Sequence, residues 1–338
     1  MPDSTLLGLF ESAAMGWTAF GLLVGVMLFI DLGLLSRSKT AMTMKSALIW
    51  SAVWISTALL FGVGVYFFRG QEDSFRFLAG YLIEEALSVD NLFVFVLIFS
   101  YFKVPASEQR TVLYWGIFGA VVMRAIFIWA GIELIERFGW ILYLFGGFLI
   151  YTGVKLLIKD EDDEIDPERN FMVRILKKVM PVTPEYHGKK FFVRLANKLH
   201  ATPLFAVLLV VETTDLIFAV DSIPAVFSVA VDTATGKIDK FIVYTSNVFA
   251  ILGLRSLYFA LAGLMDKFHY LKYGLSAILI FVGLKMTVVH YFHIPLGPVI
   301  PLLVIVGILA ACVLASMLFP PKSHEETTEQ AANPDSPQ

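Results

Sequence analysis

The feature that most limits this chain is a succession of nine apolar runs, each long enough to cross a lipid bilayer. They read as helices near 16–35, 45–68, 77–102, 110–136, 138–158, 203–230, 241–262, 270–290 and 296–319. A spanning helix needs about 20 mostly apolar residues, and lipid cannot satisfy the backbone of an open loop or sheet edge. With 57% hydrophobic and 16% charged side chains, against roughly 25% charged in soluble domains, a water-soluble globule is excluded. The expected fold class is therefore all-α, a polytopic membrane bundle of about nine transmembrane helices. His293-Ile294-Pro295-Leu296-Gly297-Pro298 separates the last two runs, because proline interrupts a helix interior. Residues 1–15 lack a basic segment ahead of the first run, so that run is expected to be a retained helix and not a cleaved leader. Cys312 is the single cysteine, which leaves no intrachain disulfide and no thiolate metal cage.

Lysine and arginine counts set the expected orientation, since basic loops stay on the cytoplasmic side. One alternate set of connections carries 17 of them and the other 5. This puts the N-terminus outside and the C-terminus in the cytoplasm of an inner (plasma) membrane protein. The chain then divides into an N-terminal two-helix segment (1–76), a three-helix unit (77–158), a cytoplasmic loop (159–202), a second three-helix unit (203–290), a final span (291–319) and a polar tail expected to be disordered (320–338). In the loop, an acidic run from Asp160 to Glu164 precedes Phe171, Met172, Ile175, Leu176, Val179 and Met180 at helical spacing, opposite Arg169, Arg174, Lys177 and Lys178. An amphipathic helix on the inner leaflet and a linker helix packed on the other loops are equally open readings.

The two three-helix units repeat. Laying Ala86-Leu87-Ser88-Val89-Asp90-Asn91 over Ile217-Phe218-Ala219-Val220-Asp221-Ser222 also places Glu84 on Asp215, and the same offset of 131 residues places Arg124 on Arg255. After a slip of one residue, Gly153-Val154-Lys155 falls on Gly283-Leu284-Lys285. A unit with an odd number of spans re-enters the membrane in the opposite direction, so the repeat is expected to be inverted. Inverted repeats expose a midplane site alternately to the two sides.

Glu84, Glu85 and Asp90 fall in the third span and Glu212, Asp215 and Asp221 in the sixth. At about 2.5–3.5 kcal/mol per central charge, six uncompensated carboxylates would cost roughly 15–20 kcal/mol. Protonation, pairing with Arg124 and Arg255, or a bound cation must offset this. The four repeat-matched acids against the two matched arginines leave a formal charge of −2, which one divalent cation balances. Asn91 and Ser222 add neutral oxygens and neither span contains His or Cys, a donor set that suits Mn, Ca or Mg over Zn or Cu. Six residues put Asp90 and Asp221 roughly 120° round from Glu84 and Asp215 on an ideal helix. The acids therefore either form layers along a pathway or sit on locally unwound helices, and Pro224 favours unwinding in the sixth span. Arg124 and Arg255 either lock helices or gate the site. Glu85 is an acid without a counterpart in the second unit, and Glu212 shares the face of Asp215. Lys155 and Lys285 are expected to snorkel to the interface, Asp31 and Glu133 to be solvated end charges, and His290 and His293 to carry no metal.

Gly80-Tyr81-Leu82-Ile83-Glu84 running into Ser88-Val89-Asp90-Asn91-Leu92-Phe93-Val94-Phe95, and Phe218-Ala219-Val220-Asp221-Ser222-Ile223-Pro224-Ala225, resemble the two signature stretches of the TerC family. Ser246-Asn247-Val248-Phe249-Ala250-Ile251-Leu252-Gly253-Leu254-Arg255 is similar to its seventh-helix motif. The likeness covers about 30–320, and the long fifth-to-sixth loop resembles the bacterial Alx branch. The resemblance implies an inner-membrane protein tied to tellurium-ion resistance, described in places as a redox modulator and in several members linked to manganese or calcium export. By motif it puts the metal role on Glu84, Asp90, Asn91, Asp215 and Asp221. Glu85 departs from that branch, where a lysine can follow the first glutamate.

The expectation is thus an exporter of a divalent cation, manganese first and calcium second, using Glu84, Asp90, Asn91, Asp215, Asp221 and Ser222, with Glu85, Arg124, Glu212 and Arg255 around them. No tightly bound cofactor and no nucleic-acid partner are implied. No nucleophile with a paired base and no metal-hydrolase His motif stands out, so an enzyme is not expected. The rival is a non-transporting scaffold or biogenesis factor whose buried ion pairs are structural.

Overall fold

A computed structural model describes residues 13–33, 43–158, 170–195, 197–231, 237–261, 270–289, 291–292, 294 and 296–318. The side chains of Asp31 and Asp90 lie outside the described set, as do the acidic run Asp160–Glu164, His290, His293 and the tail.

The protein is a predominantly α-helical, polytopic membrane protein. Its helices are α1 (Ala13–Gly33), α2 (Met44–Arg69), α3 (Gln71–Tyr101), α4 (Ala106–Arg137), α5 (Ile141–Ile158), α6 (Phe171–Val179), α7 (Pro203–Ala230), α8 (Lys240–Leu261), α9 (Leu271–Leu284) and α10 (Val299–Leu318). A π turn, Lys285–Val289, continues α9. A helix therefore lies at each of the nine apolar runs. Among the described residues, seven are long and apolar enough to cross a membrane: α2, α4, α5, α7, α8, α9 with its π turn, and α10. Helix α3 has the length, but Glu84, Glu85 and Asp90 or the charges of its first turns fall in every stretch of it that could span. That departure marks where the membrane-buried charge is concentrated.

Local chemistry sets the helix ends. The Thr43 side chain accepts the Ser46 N–H and caps α2. Gly70, at φ 97°, turns the chain from α2 directly into α3, a conformation that favours glycine. Pro203 occupies the first turn of α7, where no backbone N–H is required.

Two expectations are corrected. Pro224 does not unwind its span: α7 runs unbroken from Pro203 to Ala230. A proline forfeits one backbone hydrogen bond, whereas an unwound turn in lipid would leave several groups unpaired. Lys285 does not reach the interface. It is half-buried, and its Nζ donates to the Ser228 carbonyl at 2.6 Å. Lys155 is exposed, as a snorkelling lysine should be, with its Nζ over the Tyr151 ring.

The 159–202 loop holds more structure than one helix. Asn170 caps α6 by accepting the N–H groups of Met172 and Val173. Val173 and Leu176 are buried, the latter against Ala201 and Ala206 at the foot of α7, while Phe171, Met172, Ile175 and Val179 stay exposed. The helix thus packs through one narrow face and leaves a second apolar face open. An antiparallel hairpin follows, Phe192–Leu195 against Lys198–Ala201, with Asn197 at φ 67° in its turn. It is a small exception to the all-helical expectation. Tyr186 ties this region to the bundle by donating to the Phe102 carbonyl at 2.8 Å, and partial burial pushes its hydroxyl up to about 12.

In the bundle, α3 packs on α2, α7, α8 and α10, α7 packs on α3 and α4, and α5 runs along α9. The α5–α9 contact is made at glycines. A Cβ at Gly146 would meet the Gly283 carbonyl and one at Gly283 the Gly146 carbonyl, while the Ser276 hydroxyl donates to the Gly153 carbonyl at 2.5 Å. Adding 130 to 146 and 153 gives 276 and 283, so the two crossings are one contact with the halves exchanged. Leu60, Phe67, Trp129, Leu144 and Met317 are exposed on the outer surface, an apolar area that suits lipid.

The buried apolar side chains form two principal cores. One contains Ile83, Ala86 and Leu87 of α3, Ile128 of α4, and Ala219 and Ile223 of α7. The other contains Leu92 and Phe95 of α3, Ala120 and Ile117 of α4, and Val211 and Val207 of α7. Between them on α4 and α7 stand Arg124 and Asp215, with Glu84 and Ser88 on the adjoining stretch of α3.

Candidate functional site

Glu84 is thirteen residues into α3 and Asp215 twelve into α7. At 1.5 Å per residue both lie about 18–20 Å from their helix starts. They are 0% and 4% exposed, and Arg124 of α4 is 1% exposed. The guanidinium bridges them. Its Nη1 pairs with Glu84, its Nη2 lies 3.2 Å from Asp215 Oδ1, and its Nε donates to Asp215 Oδ2 at 3.4 Å. Nη1 also reaches the Ser222 hydroxyl at 3.4 Å. The planar fork of arginine suits such a two-sided grip, which a lysine point charge could not reproduce. Two carboxylates against one guanidinium leave a formal charge of −1 where solvation by water is minimal.

This cluster brings together Glu84, Asp215, Ser222 and Arg124 out of the residues singled out above. Asn91 lies two turns along α3 from Glu84, buried, with its amide nitrogen unpartnered. Asp221 goes elsewhere. It is half-buried and accepts from the Thr152 hydroxyl of α5 at 3.2 Å, within electrostatic reach of Lys155. The continuous helix accounts for this, because six residues turn Asp221 away from the face of Asp215. Glu85 is half-buried beside Tyr81, with one carboxylate oxygen unpartnered. Glu212 shares the face of Asp215, and its carboxylate lies against Gly119 of α4, where a larger residue would collide with it. Arg255 is buried in α8, and Glu133 is exposed at the far end of α4. The side chain of Asp90 lies outside the described residues. Among the described residues, no three acids or histidines converge as a metal cage.

Two groups escape a reading based on the repeat alone. Ser88 is 0% exposed and its hydroxyl has no hydrogen-bond partner. It stands one turn beyond Glu84 and so shares its face. Asn247 of α8 is buried, donates its amide to the Val243 carbonyl at 3.0 Å and leaves its oxygen unpartnered. Their counterparts at the 131-residue offset are Ala219 and Gly116, which is why matching the halves passes over them. The four-residue step from Glu84 to Ser88 was the available signal.

Beside Asp215 lies a cavity of about 10 Å³, otherwise lined by apolar residues including Leu92, Phe95, Leu113, Ile117 and Leu254. That is about the room one water molecule needs. The charged side chains of the site are buried, and its acids are held by a cation of the protein's own.

The family model described as "Integral membrane protein TerC family" matches residues 69–324. An uncharacterised membrane protein of Myxococcus xanthus is 47% identical over 318 residues, covering 94% of this chain and 96% of its own. A protein of Escherichia coli named "Putative membrane-bound redox modulator Alx" is 47% identical over 302 residues, covering 87% of this chain and 91% of its own. A protein of the same name from Photorhabdus laumondii is 48% identical over 290 residues, covering 83% and 88%. No solved structure matches the chain. A match running from the start of α3 to beyond α10 takes in every residue of the buried charge layer, and the chain belongs to the TerC family of integral membrane proteins.

Proposed function

We propose that this protein is an inner-membrane exporter of a divalent cation, manganese before calcium, that works by alternating access and exchanges the metal for protons. One observation carries the reading: a single guanidinium bridges a carboxylate from each repeat-matched helix, Glu84 and Asp215, in mid-helix, with one negative charge left over. Oxygen is the only donor type in that layer, which suits a hard cation. The seam between two apolar cores is also where alternating access needs its site, with one core to close each side. In this reading the N-terminus is outside, the C-terminus is cytoplasmic, and the protein performs no covalent chemistry. The relatives' printed name speaks of redox. With Cys312 as its only thiol, this chain has no internal dithiol to oxidise, so a redox effect would follow from the metal moved.

The test is uptake by proteoliposomes and by everted vesicles, across Mn²⁺, Ca²⁺, Mg²⁺ and Zn²⁺, with and without a pH gradient. Manganese flux that responds to the gradient and disappears in Glu84→Gln and Asp215→Asn is expected. Flux indifferent to the gradient removes the proton exchange, and wild-type flux in both variants removes the site.

The smallness of the cavity and the arginine grip favour a second reading, a scaffold in which the same charges only hold helices together. Deleting 159–202 would then abolish function, while the acid-to-amide changes would chiefly lower the amount of protein in the membrane.

A further inference from the structure

We propose that Arg124 is a tethered stand-in for the transported cation: its guanidinium occupies the space between Glu84 and Asp215 in the ion-free state and is displaced when a divalent cation binds. This rests on the exporter reading and adds to it a built-in competitor.

Three observations lead here. The first is the bridging itself, since Arg124 grips one acid from each matched helix and not two on one helix. A monovalent group therefore holds together the two halves that a transported ion would have to join. The second is charge. Glu84, Asp215 and the neighbouring Glu212 around one guanidinium carry a formal −2, and a divalent ion between Glu84 and Asp215, with the guanidinium passed to Glu212, brings the group to zero. In a low-dielectric layer that difference favours the incoming ion. The third is the polar face of α3. Among the described residues, Glu84 Oε2 and the Ser88 hydroxyl are buried without a hydrogen-bond partner, and Asn91, whose carbonyl oxygen is its ligating atom, is buried beyond them. At spacings of four and seven residues, Ser88 and Asn91 share the face of Glu84 on α3. Unpartnered buried polar atoms are costly, and such oxygens beside an occupied carboxylate mark a donor set prepared for a second occupant. Glu212, a turn below Asp215 and seated against Gly119 of the arginine's own helix, offers the displaced guanidinium a carboxylate.

A lock and a stand-in differ in sign. If Arg124 only braces the helices, removing its charge disorders the acids and weakens metal binding. If it competes with the metal, removing it strengthens binding while turnover is lost. The experiment measures equilibrium Mn²⁺ binding to the purified full-length protein in nanodiscs, together with proteoliposome flux, for wild type, Arg124→Met and Arg124→Lys. Arg124→Met should bind Mn²⁺ at least tenfold more tightly than wild type and transport none. Arg124→Lys keeps the charge for insertion but loses the fork, and should bind severalfold more tightly. In Arg124→Gly, added methylguanidinium should compete with Mn²⁺, as it would for a shared seat. Binding in Arg124→Lys no tighter than in wild type, with wild-type binding intact, overturns the stand-in and leaves the exporter standing. No Mn²⁺ binding by any of the proteins, wild type included, overturns both.

Discussion

Helices α3 and α7 occupy matching places in the two halves, yet they treat their buried polar groups in opposite ways. On α7, Asp215 is gripped side-on by Arg124, Ser222 receives the same guanidinium, and Asp221 accepts from Thr152. On α3, Glu84 shares only the end of that guanidinium, and Ser88 and Asn91 keep unpartnered atoms. At these positions α7 is saturated while α3 holds unused capacity. The acids match across the repeat, but Ser88 has Ala219 as its counterpart, so the asymmetry lies partly in the sequence and partly in the conformation, and both leave α3 as the side with room to bind something else.

The largest expected effect comes from breaking the saturated side. Asp215→Ala leaves a buried guanidinium half-paired and should cost about 3–5 kcal/mol, read as a lowered unfolding transition in detergent. A cost below about 1 kcal/mol would mean that the grip on Asp215 contributes little. Next, Gly283→Ala drives a methyl group against the Gly146 carbonyl and Ile150. Backbone cannot move aside as a side chain can, so a loss of about 1–3 kcal/mol is expected. Gly147→Ala, which meets nothing within 4 Å, should be neutral in the same assay. Smaller and opposite in sign, Ser88→Ala removes an unpartnered buried hydroxyl and makes α3 resemble α7, where Ala219 stands. It should stabilise the ion-free protein by about 1 kcal/mol while weakening Mn²⁺ binding. Stabilisation without weaker binding would show that Ser88 faces no ligand. The smallest effect tests the loop: Tyr186→Phe loses one hydrogen bond to the Phe102 carbonyl, worth about 1 kcal/mol. It should raise proteolysis of the 159–202 region without changing flux.

Much of this architecture was legible in the sequence, because hydropathy reports directly on length in lipid. Each of the nine apolar runs holds a helix, and Phe171–Val179 is helical inside the long loop. The repeat offset also laid Glu84 over Asp215, the two acids that Arg124 bridges, but did not set them apart from Asp90 and Asp221. Three things stayed hidden, each for a stated physical reason. Pro224 looked like a break, but its cost is local and its neighbours absorb it. The hairpin at Phe192–Ala201 is too short and too exposed for alternation to stand out. The pairing of Arg124 with both acids at once could not be read from spacing, since it depends on how α3, α4 and α7 converge. The same convergence separates Asp221 from the acids it accompanies in sequence.

The crossing of α5 and α9 has its own consequence. Where Gly146 faces Gly283 and Gly153 faces Ser276, the two helices come main chain to main chain, and Ile150, Ile280 and Thr287 fill the gaps that the glycines leave. A seam keyed this closely resists both separation and sliding. It is expected to act as a rivet, so that the last helix of one triplet moves only together with the last helix of the other.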